Sequence, residues 1–231
     1  MKIYKFSSKE IDRYKSDANV WGSFVRRREA EIVFSLFPDR RFQHALELGA
    51  GNGVQSVTII NYCATLVSTD KYERDDFLQR QTPNVKYMLC DAQDLSRFSG
   101  YTFDLVFSSN MLEHIPDIDK CLCECRRVLI DNGLMLHLMP SRLWKIFNSG
   151  LGILKLRNPR VHGASTSWWR EFYEFGPSVW KRKIESNGLI VQEVIGMPFY
   201  VGLGPSFIPI IKVGNALGMP SSFLYIINKK K

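Results

Sequence analysis

The sequence predicts an α/β architecture, an open sheet of seven mostly parallel strands with helices on both faces. Three observations carry that expectation. Short apolar runs alternate with helical patterns from Phe42 onward. The first run, Ala45-Leu46-Glu47-Leu48, breaks into Gly49-Ala50-Gly51-Asn52-Gly53, where missing Cβ atoms let the backbone turn with positive φ and let a ligand lie against bare main chain. The next two runs each finish on a carboxylate, Asp70 and Asp91. Together these describe a Rossmann-like sheet whose strand ends share one ligand crevice.

Taken in order, residues 1–41 form an N-terminal helical cap, with apolar positions at helical spacing (Ile11, Tyr14, Trp21, Phe24, Val25, Ile32, Val33, Phe37) ahead of Pro38-Asp39. Residues 42–141 hold the first five strands. After the glycine run comes a helix, then a strand at Thr65–Asp70, a helix around Glu73–Arg80, strands at Val85–Ala92 and Phe103–Asn110, and a helix over Ile118–Ile130. Asp131-Asn132-Gly133 reads as a turn into strand five, Leu134–Met139, which Pro140-Ser141 ends; His137 within it reads as a packed residue. Residues 142–176 break the alternation and read as an insertion on the ligand side of the sheet. Residues 177–231 complete it, with a helix opened by Pro177 and closed by Asn187-Gly188, strand six at Leu189–Val194 and strand seven at Phe223–Ile227.

Composition narrows the class. At 231 residues and 45% apolar content the chain fits one soluble domain. The polar stretch Met1–Glu10 does not look like a secretion signal, so the cytoplasm is the expected compartment. Five cysteines suit reduced thiols; Cys121-x-Cys123-x-Cys125 lies on a helix with Cys121 and Cys125 on one apolar face, which favours core residues over a metal site. The net charge of +8 is scattered over Arg26-Arg27-Arg28, Lys181-Arg182-Lys183 and Lys229-Lys230-Lys231 without an RNA-binding module, so nucleic acid is not the expected partner. A dinucleotide fingerprint begun at Gly49 would need glycine at position 54, where Val54 stands. Asp70 or Asp91 alone would as readily be a helix cap; their joint register argues for a cofactor.

The glycine run, Asp70, Asp91 and the stretch Asn110-Met111-Leu112-Glu113-His114-Ile115-Pro116-Asp117, spanning residues 43–140, resemble the successive motifs of class I S-adenosylmethionine-dependent methyltransferases. The resemblance implies S-adenosyl-L-methionine as cofactor. It assigns Glu47, Gly49, Ala50, Gly51 and Gly53 to the cradle, Asp70 to the ribose, Asp91 and Ala92 to the adenine, and adds Lys71 and, at the end of strand four, Asn110 to the cofactor-binding set. It also implies that strand seven lies antiparallel between strands five and six.

Methyl transfer from a sulfonium requires an aligned nucleophile and exclusion of water, and a hydroxyl acceptor must also lose its proton. Glu113, His114 and His162 fall at the mouth after strands four and five and are the candidate catalytic residues. Asn110-x-x-Glu113-His114 resembles the Glu-x-x-Glu-His pattern of magnesium-dependent O-methyltransferases, with His162 as the later histidine. Asn110 replaces a carboxylate, which weakens the hold on a hard cation, so Mg2+ at Glu113, His114 and His162 is the lesser expectation beside a metal-free base. Pro140-Ser141, His162-Gly163, Glu171, Trp180 and Asn187-Gly188-Leu189 resemble a subgroup of type 11 methyltransferase domains among bacterial glycan and surface-polysaccharide enzymes.

The expected reaction is therefore O-methylation of a sugar or glycan hydroxyl, with Trp168 and Trp169 stacking on the ring and Arg170 and Glu171 forking its hydroxyls. A quinone or other lipophilic small acceptor is the alternative, favoured by an apolar tunnel and disfavoured by a wide polar cleft. A non-catalytic module that keeps the cofactor fold is the third. For residues 197–213, burial against strand six competes with peripheral contact at the inner face of the cytoplasmic membrane, in which Phe199, Tyr200, Phe207 and Ile208 dip into lipid and Lys212 and Lys229 to Lys231 meet headgroups.

Overall fold

The computed structural model describes residues 1–12, 18–73, 82–154, 161–201 and 207–230. Its sheet contains β1 (Phe42–Leu48), β2 (Cys63–Asp70), β3 (Val85–Leu89), β4 (Phe103–Ser109), β5 (Leu129–Pro140), β6 (Leu189–Gly196) and β7 (Ser222–Lys229). The strand order is β3-β2-β1-β4-β5-β7-β6, with β7 antiparallel to both neighbours and all other pairings parallel. This is the expected fold. The order reverses between β1 and β4, so the crevice beyond their carboxyl ends is the natural ligand position.

The helices are α1 (Ser8–Asp12), α2 (Ala18–Phe34), α3 (Ser56–Ile59), α4 (Ile118–Val128), α5 (Arg142–Leu154), α6 (Trp168–Glu174), α7 (Pro177–Ser186) and α8 (Ile208–Ala216). On one sheet face, Leu48, Met135 and Val191 pack with Cys121, Leu122 and Cys125 of α4 and with Trp180 and Ile184 of α7. On the other, Ala45, Leu105 and Leu136 pack with Ile32, Val33 and Phe34 of α2 and with Ile59 of α3. Strands covered on both faces read as near-continuous apolar runs, which explains why β1 and β4 stood out in the sequence. Cys121 and Cys125 are buried core residues, and all five thiols are free.

One local expectation needs correction. Asp131-Asn132-Gly133 interrupts a strand rather than preceding one: β5 already pairs at Leu129 with Phe103, and the register then jumps to Leu134 opposite Leu105. The cap is two helices, α1 and α2, with residues 13–17 outside the described set. The insertion is built mainly from α5 and α6. The helix expected at Glu73–Arg80 falls largely on residues 74–81, outside the described residues.

A third apolar cluster joins the cap to the C-terminal part. Phe6, Ile11, Trp21 and Val25 meet Phe199, Tyr200, Val201 and Ile211, with Trp144 and Phe147 of α5 packed against them. Phe199 and Tyr200 are thus buried, Phe207 and Ile208 lie against the same cluster, and Lys212 Nζ bonds Asp12 Oδ2 at 2.8 Å. Those side chains are committed to the protein, so burial suits the described residues of this segment, 197–201 and 207–213, better than contact with lipid. Among the described residues no helix is long and apolar enough to cross a membrane.

Candidate active site

The glycine turn after β1 sits at the switch point. Gly49, Gly51 and Gly53 have φ of +69°, +58° and +75°, a region closed to most side chains, and a Cβ on Gly49 would overlap the Met111 side chain. Ala50 N–H donates to the Thr69 carbonyl at 2.9 Å and Gly51 N–H to Asp70 Oδ2 at 2.8 Å, tying the turn to the end of β2. Tyr72 N–H donates to Asp70 Oδ1 at 3.0 Å. Each carboxylate oxygen accepts one backbone bond and keeps a second lone-pair direction for a ligand.

Asp91 lies just past β3. Lys71 Nζ reaches its Oδ2 at 2.9 Å and Gln93 N–H donates to Oδ1 at 2.9 Å. Burial alone would raise this carboxyl, but the Gln93 amide and Lys71 ammonium outweigh it and hold it below its ordinary value. Glu47 is buried beneath the turn and accepts from the hydroxyls of Ser56 and of Ser68, the latter at 2.8 Å. Burial pushes Glu47 up to about 7 against those hydroxyls. Ala92 is buried next to Asp91.

The far wall starts at Asn110, whose φ of +48° turns the chain sharply after β4; asparagine tolerates this better than most residues. Its N–H donates to the Leu138 carbonyl at 2.8 Å. Its amide oxygen faces the guanidinium of Arg26 from α2, in the orientation that satisfies both groups. The sequence placed Arg26 in a scattered basic run; the structure separates that run. Arg28 points outward to Glu10 and Glu31, whereas Arg26 Nη1 bonds buried Glu29 at 2.9 Å and lies 3.4 Å from the Tyr200 hydroxyl. Arg26 keeps 35% of its side-chain surface open while Glu29 keeps none, as expected of a group lining a cleft. Burial opposes its charge, but Tyr200 and Glu29 hold it protonated.

Glu113 and His114 sit in a short 3₁₀ turn (Leu112–His114) beyond Asn110. The loop at His162 closes over them. The His114 and His162 rings meet edge-on with centroids 4.7 Å apart, and the Trp144 ring lies 4.8 Å from His162. Glu113 is buried, and among the described residues neither carboxyl oxygen has a hydrogen-bond partner. Burial pushes it up to about 8; its own backbone N–H and Arg26 pull downward, and Glu171 adds to the rise. Partial desolvation, chiefly where the ring meets its neighbours although the residue keeps an exposed face, and then His114 lower His162 to about 4, so the ring is neutral near pH 7. One ligand atom from each of Glu113, His114 and His162 lies within 4.8 Å of the others. That set does not fit magnesium, which wants near-octahedral oxygen ligands: it holds one carboxylate, two imidazoles and a nearby guanidinium, and Asn110 is turned to Arg26.

Other expected residues lie elsewhere. Trp168 stacks on Phe172 at 5.4 Å and donates its indole N–H to Ser149 Oγ at 2.7 Å, so it anchors the insertion. Trp169 is 75% exposed, Arg170 pairs with Glu174, and Glu171 is buried against Lys145. The proposed sugar platform and fork are therefore not assembled. His137 is buried with its Nδ1 2.8 Å from Ser108 Oγ, a packed residue as expected. The sequence analysis missed Glu29, which continues the apolar stripe of Trp21 and Val25 on α2; an acid on such a stripe was the available sign that this helix faces a polar site.

Residues 46–137, from β1 through β5, match the family model of a methyltransferase domain. Residues 46–137 thus carry a methyltransferase domain, and the sheet around them has the class I S-adenosylmethionine-dependent methyltransferase fold. Relatives of this domain include the mitochondrial ubiquinone biosynthesis O-methyltransferase of Homo sapiens, 23% identical over 160 residues, covering 66% of this chain and 42% of that protein. The chain thus spans less than half of the human protein. A ubiquinone biosynthesis O-methyltransferase of Neisseria meningitidis is 21% identical over 221 residues, covering 87% of this chain and 89% of that one. Among solved structures, the PH0226 protein of Pyrococcus horikoshii aligns with a TM-score of 0.64 at 19% identity, covering 94% of this chain and 95% of that one. The 1,6-didemethyltoxoflavin-N1-methyltransferase of Burkholderia thailandensis, solved with its substrate and S-adenosylhomocysteine, aligns at 0.62 with 13% identity over 97% and 87%. At such identities the structural likeness speaks for the fold of the methyltransferase domain alone.

Proposed function

We propose that this chain is an S-adenosylmethionine-dependent O-methyltransferase acting on a ring hydroxyl of a quinol-like or other lipophilic small molecule. The observation that carries this reading is Glu113, a buried carboxyl flanked by two imidazoles and without a hydrogen-bond partner among the described residues. Trp144 lies against His162 and Tyr200 against Arg26, both at the edge of one apolar cluster, while the cavity that Glu113 itself lines combines Ile115, Ile118 and Trp180 with Asp119, Arg170 and Lys183. The names of the curated relatives favour the same acceptor class. A glycan hydroxyl is the weaker reading, since Trp168 and Glu171 are already engaged in packing and Trp169 faces solvent.

The residues present fit the cofactor: the turn has no room for a Cβ at Gly49, and each Asp70 oxygen, with one backbone donor, retains acceptor capacity. When bound, S-adenosyl-L-methionine supplies an electrophilic methyl group. Asp70 holds the ribose hydroxyls, Asp91 the adenine amino group, and Arg26, beside Asn110, offers a guanidinium to the carboxylate of the amino-acid end. In its ionised form, whose share grows as pH rises toward 8, Glu113 takes the acceptor's hydroxyl proton. His114 Nε2, 3.9 Å from Glu113 Oε1 and 42% exposed, passes that proton to solvent. Tyr200 and Trp144 keep water from the acceptor ring. The chain's compartment is proposed to be the cytoplasm.

The test is a calorimetric titration with S-adenosylhomocysteine, alone, with magnesium and with a chelator, followed by a methyl-transfer assay on a short-chain prenylated catechol and on nucleotide sugars. One-site binding indifferent to magnesium, with transfer to the catechol, is expected. No binding by folded protein would leave a non-catalytic module; transfer to sugars alone would restore the glycan reading; a requirement for magnesium would replace the metal-free base.

A further inference from the structure

Inside the insertion lies a charged pair with almost no access to water. Lys145 of α5 is 2% exposed and Glu171 of α6 is fully buried, and Lys145 Nζ bonds Glu171 Oε2. Isolated buried ion pairs seldom improve stability over apolar packing, so the pair calls for another explanation. The other carboxylate oxygen, Oε1, supplies one. It accepts from the backbone N–H of His162 at 2.8 Å and from that of Gly163. The next residue, Ala164, donates its N–H to the carbonyl of Glu113 at 2.8 Å. The loop is thus pinned from below by Glu171 and from above by Glu113. Gly163 sits between them with no space for a Cβ, which would overlap the Glu113 carbonyl oxygen.

We propose that Glu171 is a positioning residue: Lys145 fixes its carboxylate inside the insertion, and the carboxylate in turn holds the His162–Gly163 backbone so that the His162 ring lies against His114 above Glu113. Its catalytic consequence rests on the methyl-transfer reading given above; its structural consequence does not. Glu171 touches no reacting atom. Lys145 orients Glu171 toward the loop.

Two double variants separate this role from ordinary packing. K145M/E171Q and K145M/E171M both remove the charges and nearly conserve volume, but only the first keeps a carbonyl oxygen facing the loop. Hydrogen exchange of the His162 and Gly163 amides reads the loop without any acceptor, and S-adenosylhomocysteine affinity reads the cofactor half. K145M/E171Q should keep amide protection within about three-fold of the parent, while K145M/E171M should lose it by about ten-fold or more, as expected for the loss of one or two hydrogen bonds. Cofactor affinity should stay within about two-fold in both. If the parent methylates the prenylated catechol, kcat should follow loop protection and the cofactor KM should not. Equal protection in the two doubles overturns the proposal, as does a parallel fall in cofactor affinity. If the parent transfers no methyl group, the exchange comparison still decides the role of Glu171, and the failure belongs to the proposed function.

Discussion

The two walls of the cleft are built on different principles. The cofactor wall is carried on strand ends: Gly49–Gly53, Asp70 and Asn110 follow β1, β2 and β4 directly and are cross-tied by backbone bonds such as Gly51 to Asp70. The proposed acceptor wall is assembled from distant segments: Glu113 from a turn, His162 from the insertion and Tyr200 from the C-terminal part, with Arg26 of the cap, 174 positions from Tyr200, standing where the two walls meet. A wall fixed by the sheet can bind one ligand unchanged while the other wall is rebuilt, which is how one fold serves many acceptors.

If the walls are separable, damage to the acceptor wall should spare the cofactor. The largest effect is expected from Gly163→Ala, which pushes the loop off Glu113; turnover should fall about 100-fold, as small misplacements of reacting groups do, with S-adenosylhomocysteine affinity nearly unchanged by calorimetry. Parallel losses would break the distinction. Asp70→Ala is the converse: the cofactor Kd should rise about 10–100-fold through lost charge-assisted hydrogen bonds, while kcat at saturating cofactor is preserved.

Arg26→Met sharpens the boundary, because the cap supplies a residue to the cofactor side. It should weaken S-adenosylhomocysteine by about ten-fold and leave 5′-methylthioadenosine, which lacks the amino-acid end, unaffected. Equal weakening of both ligands would return Arg26 to a structural role with Glu29.

The next test is thermal stability against pH in the ligand-free protein. Glu113 and Glu47 sit at about 8 and about 7 when folded, above the ordinary 4.5. Both bind a proton more tightly folded than unfolded, so that stabilisation is complete below 4.5 and is lost as pH rises through the folded values. The melting temperature should therefore fall toward alkaline pH, and Glu113→Gln should remove the upper part of the slope while leaving the part near 7 due to Glu47. An unchanged slope would mean that Glu113 is already ionised. The smallest effect is expected for Trp169→Ala, within about 0.5 kcal/mol of the parent in stability and without change in turnover; a large loss of turnover would bring back a sugar platform.

The same division explains what could be read from the sequence. Strand ends are local: an apolar run, a glycine turn and a terminal carboxylate occupy a few consecutive positions, so Gly49, Asp70 and Asp91 were visible as a register. The antiparallel placement of β7 came from resemblance, since nothing in Phe223–Ile227 itself states its direction. Arg26 looked like its neighbours Arg27 and Arg28 because the helix face that separates them is set by Trp21, Val25 and Glu29 docking on distant residues, including the Glu29 bond to Ser222, 193 positions away. Glu171 carried no sign of its burial because its partner Lys145 lies 26 positions away on another helix.

The Glu29–Ser222 bond, with Arg26 beside it, also decides where this polypeptide can be cut. The family model begins at residue 46 and ends at residue 137, boundaries that would tempt anyone trimming the gene for expression. A fragment with those ends would keep the glycine turn and both aspartates. It would lose the helix that carries the guanidinium, two strands of the sheet and the histidine loop. The smallest usable piece must begin upstream of Trp21 and run past β7, because the first and last segments of the chain are clasped together over the same cleft.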